Sequence, residues 1–333
     1  MNYIGSKYSL IDFIINSIES VVGNNTNVKV FADLFAGTGI VGATFKKRGY
    51  KVISNDIQYY SYVLNKHYIE NNQYFNVERF YYLNDIEGVE GFIFNNYCAG
   101  SGSGRNYFTD ENGKKCDAIR QEIEELRLNE KISENEYYFL LASLIESIDK
   151  YANTASVYGA FLKHIKKSAQ KTFELEFLPT IKGENVGIVY NKDVNELIRE
   201  IEGDILYLDP PYNTRQYSAN YHLLETIARY DNPIIVGKTG LRKDDNLKSK
   251  YCSKRTVEKV FEDLIANAKF KYIFLSYNNE GLMSLETIKA IMGKYGEYKL
   301  FTKENYKRFR ADKKDNRNHK ADSTIEYLHC LIK

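Results

Sequence analysis

Two prolines stand side by side, Pro210 and Pro211, in a chain that has four among its 333 residues. Asp209 precedes them, Tyr212 follows, and the apolar run "ILYL" leads in. A residue before proline is biased to extended backbone, and each proline fixes its own φ near −65°. The Asp209 carboxylate and the Pro210 carbonyl are therefore expected in a stiff pose, with no proline N–H beside them. Two acceptors without a donor suit an –NH2 group that has two hydrogens to give. Tyr212 adds a flat face for a planar base, and such stacking contributes roughly 1–3 kcal/mol per base. The chemistry this would serve is activation of an exocyclic amine. Acceptors that draw its hydrogens out of the ring plane localise a lone pair otherwise delocalised into the heterocycle. A plain strand-ending turn is the alternative for the same four residues.

A second group lies upstream. In "FADLFAGTGIVGATF", Gly37 and Gly39 fall between an apolar run and a helical pattern. Glycine there lets backbone pass close to a ligand, and a helix N-terminus offers unpaired N–H groups. The spacing is that of a dinucleotide fingerprint without its third glycine, and a simple tight turn competes with it. Asp33 argues against a dinucleotide, because it sets a negative charge where a pyrophosphate would sit. A ligand with a cationic amine and a sulfonium fits that charge, and S-adenosylmethionine has both. Asp56 ends the next apolar run, about 20 residues on, where an acidic residue can take both ribose hydroxyls. Asp193, at the end of a third run, can accept from an adenine amino group. Each aspartate alone reads as a cap or turn residue. Three at successive strand ends read as one rim.

The elements that must position these groups alternate. Val28 to Ala36, Lys51 to Ile57, Val186 to Asp193, Asp204 to Pro211, Lys271 to Asn279 and Ser323 to Ile332 read as strands. Their near-continuous apolar character predicts burial on both faces, as in a parallel sheet. Helical patterns cover Leu10 to Ile18, Gly39 to Arg48, Tyr59 to Glu70, Val194 to Ile201, Tyr221 to Tyr230, Val257 to Ala268 and Leu285 to Tyr295. The alternation predicts an α/β fold whose ligands bind beyond the carboxyl ends of the strands. From about 85 to 180 it breaks: a Gly/Ser stretch, "CAGSGSGRNYFTDENGKK", precedes two helices, Asp117 to Asn129 and Glu134 to Tyr151. That region reads as an inserted subdomain, which divides the chain at 1–84, 85–180 and 181–333. The Gly/Ser stretch is expected to be a mobile surface segment.

Composition excludes several classes. No apolar run reaches the roughly 20 residues of a membrane span, and "MNYIGSKYSLIDFI" lacks a signal-peptide layout. Cys98, Cys116, Cys252 and Cys330 are scattered, which fits neither a zinc site nor a disulfide framework; no metal is expected and the cytoplasm is. With 46 Lys and Arg against 44 Asp and Glu, net charge says little. Its distribution says more. Lys299 to Lys320 is strongly basic, with Tyr306 and Phe309 interleaved and Lys307, Arg308 and Arg310 as candidate phosphate contacts; Lys238 to Arg255 is a second such stretch. Both could also be solvated lysine-rich loops.

The segment Asp33 to Gly39 together with Asp209 to Tyr212 resembles the amino-methyltransferases that use S-adenosylmethionine. The opening "NYIGSK" resembles the N-terminal motif of the alpha-group DNA adenine-N6 methyltransferases, the Dam-like and type II modification enzymes. The order of N-terminal motif, cofactor loop, insert and DPPY strand is similar, as are "NTRQYSANYHLLETIA" and "FLSYNNEGL". The resemblance implies a Rossmann-like, mostly parallel seven-stranded sheet with a largely helical target-recognition insert. It implies Tyr3 and Lys7 at the methionine end of the cofactor, Asp33, Phe35, Gly37 and Gly39 as its loop, Asp56 on the ribose and Asp193 on its adenine. Asp209, Pro210, Pro211 and Tyr212 would be catalytic, and an aspartate at the first of these positions favours adenine.

The same resemblance implies a double-stranded DNA substrate with its target base flipped out, S-adenosyl-L-homocysteine as product, a restriction endonuclease acting on the same site, and a monomer. Arg215 and Tyr217 are expected in a loop that orders on DNA, Arg105 of the insert at base edges, and His222 in a structural role or on a phosphate. An RNA adenine-N6 methyltransferase and a non-catalytic specificity module that binds the same cofactor remain as alternative readings.

Overall fold

The computed structural model describes residues 6–23, 27–244, 246–307 and 323–333, which fall into two compact units. The first, here the sheet unit, takes its described residues from 6–57, Lys182–Gln216 and Lys248–Lys333. It holds strands β1 (Val30–Asp33), β2 (Lys51–Asn55), β3 (Ile188–Tyr190), β4 (Glu202–Leu208), β5 (Lys269–Asn278), β6 (Glu297–Lys307) and β7 (Ser323–Ile332). They form one seven-stranded sheet in the order β3-β2-β1-β4-β5-β7-β6. Pairing is parallel from β3 across to β5 and antiparallel on both sides of β7. This is the expected Rossmann-like, mostly parallel sheet.

Burial explains the strand pattern. In β4, Ile205, Leu206, Tyr207 and Leu208 are all buried, so both faces are covered and the run shows no polar alternation. The strand stops at Leu208 because Pro210 and Pro211 have no N–H to give a neighbour. On β1, Phe31 stacks on Phe45 of the helix Ile40–Lys47 with ring centroids 3.8 Å apart. Strand order reverses at the adjacent pair β1 and β4, and such a switch point leaves a crevice at the carboxyl ends of the strands. Asp33 is the last residue of β1 and pairs in register with Tyr207, two residues before Asp209.

One strand departs from the expectation. The basic stretch from Lys299 is not among the strands expected from sequence, but Glu297–Lys307 is β6, the edge of the sheet. Charges along an edge strand guard its unpaired backbone against further strand pairing, and they also hide its β character. Arg308 and Arg310 lie outside the described residues, as do Tyr3 and the side chain of Lys307.

The second, helical unit comprises Gln58–Ile181 and Tyr217–Leu247 among its described residues. It is wider than the 85–180 insert. The helices Tyr59–Asn65 and His222–Arg229, expected as crossovers of the sheet, belong to it. The reason is apolar: Val63 and Leu64 of one, and Leu223, Leu224 and Ile227 of the other, are buried in the same cluster as the long helices. Those helices are Asp110–Leu128 and Glu134–Tyr151, the latter begun by a reciprocal Ser133–Glu136 capping box. Buried Glu225 ties the two shorter helices together, accepting from the backbone N–H groups of Tyr59 at 3.1 Å and Tyr60 at 2.9 Å.

The Gly/Ser stretch is also more ordered than expected. Thr109 caps the helix that begins at Asp110, seven residues before its expected start at Asp117, and Tyr107 and Phe108 are buried. Within that helix Gly113 leaves room for Cys98, because a Cβ there would sit 2.0 Å from the sulfur. Among the described residues no helix is long and apolar enough to cross a membrane.

Candidate active site

The sheet unit brings most of the expected residues to one rim. Asp209 follows β4 and is followed by a buried Pro210 and a half-buried Pro211. Tyr212 Oη donates to Asp209 Oδ1 at 2.7 Å. Lys7 Nζ donates to the same tyrosine oxygen at 2.9 Å and pairs with Asp209 Oδ2 at 2.8 Å, which closes a triangle. The Lys7 ammonium also stands 5.0 Å from the centroid of the Tyr212 ring. Leu282 donates its backbone N–H to the Tyr212 carbonyl at 3.0 Å, and the Tyr277 ring lies 4.9 Å away at 59°. Tyr212 is therefore braced from β5 and the segment after it, and it is only partly exposed.

The upstream loop is shaped for close backbone approach. Gly37 and Gly39 have φ of 52° and 77°, a region that side chains with a Cβ disfavour. Asp56 Oδ2 accepts from the Gly37 N–H at 2.9 Å, so the second acidic residue fixes the loop that follows the first. Phe35 is half-buried and meets Tyr251 edge-on at 5.0 Å. Asp193 accepts from the Asn195 N–H at 2.8 Å and caps the helix Val194–Leu197, with Lys250 Nζ 3.9 Å from its other oxygen. Its cap role is the plain reading of its type and position; its half-buried carboxylate still faces the rim's Lys250.

Electrostatics give the rim its character. Asp33 is buried, and its Oδ1 has no hydrogen-bond partner. Burial, then the nearby Asp209 and to a lesser degree Asp56, push its carboxyl up to about 8. Burial and Asp209 likewise raise the Tyr212 phenol well above its ordinary range, so it remains a donor. A cationic ligand would relieve this crowd of carboxylates, and the orphaned Asp33 oxygen is the kind of atom such a ligand satisfies. The residues present thus fit a donor with an ammonium and a sulfonium.

Two buried groups near the triangle escaped the sequence reading. Ser276, on β5, lies 3.4 Å from Tyr212 Oη. Glu326, on β7, has a buried Oε2 without a partner and is pushed up to about 7 by burial, with Lys7 lowering it and Asp209 raising it. Alternation along the two strands was the available signal: Glu326 is a lone acid inside "STIEYLHCLI".

The expected DNA contacts are dispersed. Arg215 is exposed, and its backbone N–H is tied to Asn213 Oδ1 at 2.9 Å. In the helical unit, Tyr217 stacks on Tyr221 at 6.1 Å. Arg105 in that unit spends its guanidinium on the carbonyls of Asn96 and Gly237, at 3.0 Å each. His222 is buried with Nε2 3.0 Å from the Tyr158 carbonyl, and burial pushes it down to about 4, so it is neutral near pH 7.

Comparison with known proteins bears on the family. Residues 3–291 match the family model described as D12 class N6 adenine-specific DNA methyltransferase. The chain is 56% identical over 335 residues to the type II methyltransferase M.NlaIII of Neisseria lactamica, covering 100% of this chain and 99% of that protein. It is 42% identical to M.FokI of Planomicrobium okeanokoites, spanning all of this chain and 53% of that longer protein. M.CviAII of Paramecium bursaria Chlorella virus 1 is 37% identical, with 93% of each chain covered.

Proposed function

Since the chain belongs to the D12 class of N6 adenine-specific DNA methyltransferases, we propose that Asp209, Pro210, Pro211 and Tyr212 receive the target adenine, while the rim from Asp33 to Asp56 holds the methyl donor. The chain is a type II modification methylase of restriction–modification, and S-adenosylmethionine is its donor. When bound, that donor supplies a methyl group already activated by its sulfonium.

The residues do the rest. Asp33 ionises as the donor's cationic end comes beside it, Asp56 accepts from its ribose hydroxyls, and the left-handed backbone at Gly37 and Gly39 clears space for it. Phe35 and Asp193 flank its base, and Lys7 and Tyr3 its methionine end. The Asp209 carboxylate and the Pro210 carbonyl accept both N6 hydrogens, which localises the nitrogen lone pair and aims it. Tyr212 stacks on the purine. Alignment of nitrogen, carbon and sulfur, with water excluded, supplies the rate through proximity and preorganised electrostatics. The amine loses its proton after the methyl is attached, with Asp209 the nearest acceptor.

Duplex DNA must release its base to reach such a pocket, at a cost of roughly a few kcal/mol that stacking and hydrogen bonding offset. Arg215 is exposed for a phosphate, and Tyr217 stands beside it in the chain. Lys307, Arg308 and Arg310, from the basic segment of the sequence, are the proposed phosphate contacts, and the helical unit, with Arg105 bracing it, is the proposed reader of the sequence. A monomer suffices, and a restriction endonuclease with the same recognition site is the expected partner.

The observation that carries this reading is the proline-braced Asp209–Tyr212 pair beside an acidic rim at the sheet's switch point. Tritiated methyl transfer to a mixed duplex library, followed by mapping of N6-methyladenine, tests it. Wild-type protein should label adenine in one sequence context, and Asp209→Ala should abolish labelling. Equal labelling by the variant would refute the assignment.

A further inference from the structure

The Lys7 ammonium occupies the place the previous reading gives to the substrate. It takes one oxygen of Asp209 at 2.8 Å and the Tyr212 hydroxyl at 2.9 Å, and it stands over the Tyr212 ring. An adenine amine cannot claim Asp209 until Lys7 withdraws. Lys7 is only 4% exposed, and a buried cation that loses its counter-ion is costly unless another acceptor receives it.

Glu326 is built to be that acceptor. It is 6% exposed; the Asn278 side chain hydrogen-bonds its carboxyl, while its Oε2 has no hydrogen-bond partner. On β7 it pairs in register with Asn278 of β5, two residues along from Ser276, the residue that approaches Tyr212. Side chains two apart on a strand share a face, so Glu326 lies on the face of the sheet that carries the triangle. The electrostatics agree with that placement: Lys7 draws Glu326 down, Asp209 raises it, and Glu326 in turn raises Tyr207 and Tyr212. Lys303 is its register partner on β6.

We propose that Glu326 is a positioning residue for methyl transfer, the second seat of the Lys7 ammonium when the target amine occupies Asp209 and Tyr212. The proposal rests on the assignment of Asp209 to the target adenine. Lys7 then acts as an internal stand-in for the substrate amine, and Glu326 keeps the pocket's charge balanced as one replaces the other.

Glu326→Gln keeps the shape and removes the charge. Single-turnover methylation of duplex DNA should slow at least tenfold, with donor affinity by calorimetry unchanged. Its melting temperature at pH 8 should match or exceed wild type, because a carboxyl raised to about 7 in the folded state loses stability as pH rises through that value. A residue needed only for folding would show the opposite. Glu326→Asp should recover part of the rate. Because the effect passes through Lys7, the double variant with Lys7→Met should be no slower than Lys7→Met alone.

Wild-type rate in Glu326→Gln, loss of donor binding, or losses that multiply in the double variant would each overturn the proposal. Asp209→Ala, assayed in parallel, separates the two ideas. Full activity there would refute the underlying site, whereas full activity in Glu326→Gln alone would refute only the second seat.

Discussion

Lys7 and Asp209, 202 positions apart in the chain, meet as a 2.8 Å ion pair at the mouth of the sheet's switch point. The pair joins the N-terminal segment to the strand end that bears the two prolines. The carboxylate is therefore already held by a cation, and on the proposed assignment of Asp209 to the target base, that base must compete with Lys7.

Tyr212 has two separable roles. Tyr212→Ala removes the ring and should weaken methylation by about 10- to 100-fold, the equivalent of roughly 1–3 kcal/mol of stacking. Tyr212→Phe keeps the ring and loses the bonds to Asp209 and Lys7, so it should retain most activity. Steady-state rates on a short duplex with one target site check both; equal losses in the two variants would place the function in the hydroxyl.

Asp33 should make the protein less stable in alkali. Burial and the neighbouring carboxylates push its carboxyl up to about 8 in the folded chain, against an ordinary 3.8. The unfolded chain sheds this proton first, so stability falls as pH rises from about 4 to about 8 and levels off above. Asp33→Asn should match wild type near pH 4 and unfold at a higher urea concentration at pH 9. A difference independent of pH would contradict the assigned burial penalty.

Donor binding should release protons. A cation placed beside protonated Asp33 favours its ionised form. Calorimetry of S-adenosylmethionine binding at pH 7, repeated in buffers of different ionisation enthalpy, should show a net release of part of a proton per site. Asp33→Asn should remove that release together with most of the affinity.

Gly39→Ala should cost both stability and binding. Its φ of 77° would force alanine into left-handed backbone, at roughly 1–2 kcal/mol. Donor affinity should fall further than stability, because the loop faces the ligand. Denaturation midpoints and donor dissociation constants, measured side by side, check the ratio.

The rim was legible because strands buried on both faces write unbroken apolar runs, and the polar residue that ends each run is then conspicuous. Asp33, Asp56 and Asp209 were found in that way. Asp193 was found by the same rule, and its bond to the Asn195 N–H shows that a strand-end aspartate also serves a helix. Glu326 and Ser276 gave no such punctuation, since each sits inside a strand whose partner lies far along the chain. β6 was hidden by its own charges. The affiliation of the helix His222–Arg229 was not written locally at all: its apolar face is the same whichever core receives it.

The chain builds its helical unit in two instalments, Gln58–Ile181 and Tyr217–Leu247, with the proline-bearing strand spelled out between them. An engineer who transplants only the first instalment from a relative leaves Leu223, Leu224 and Ile227 facing a foreign core. Chimaeras meant to exchange this unit intact must therefore carry both pieces, and recombination that moves it whole needs two coordinated exchanges instead of one.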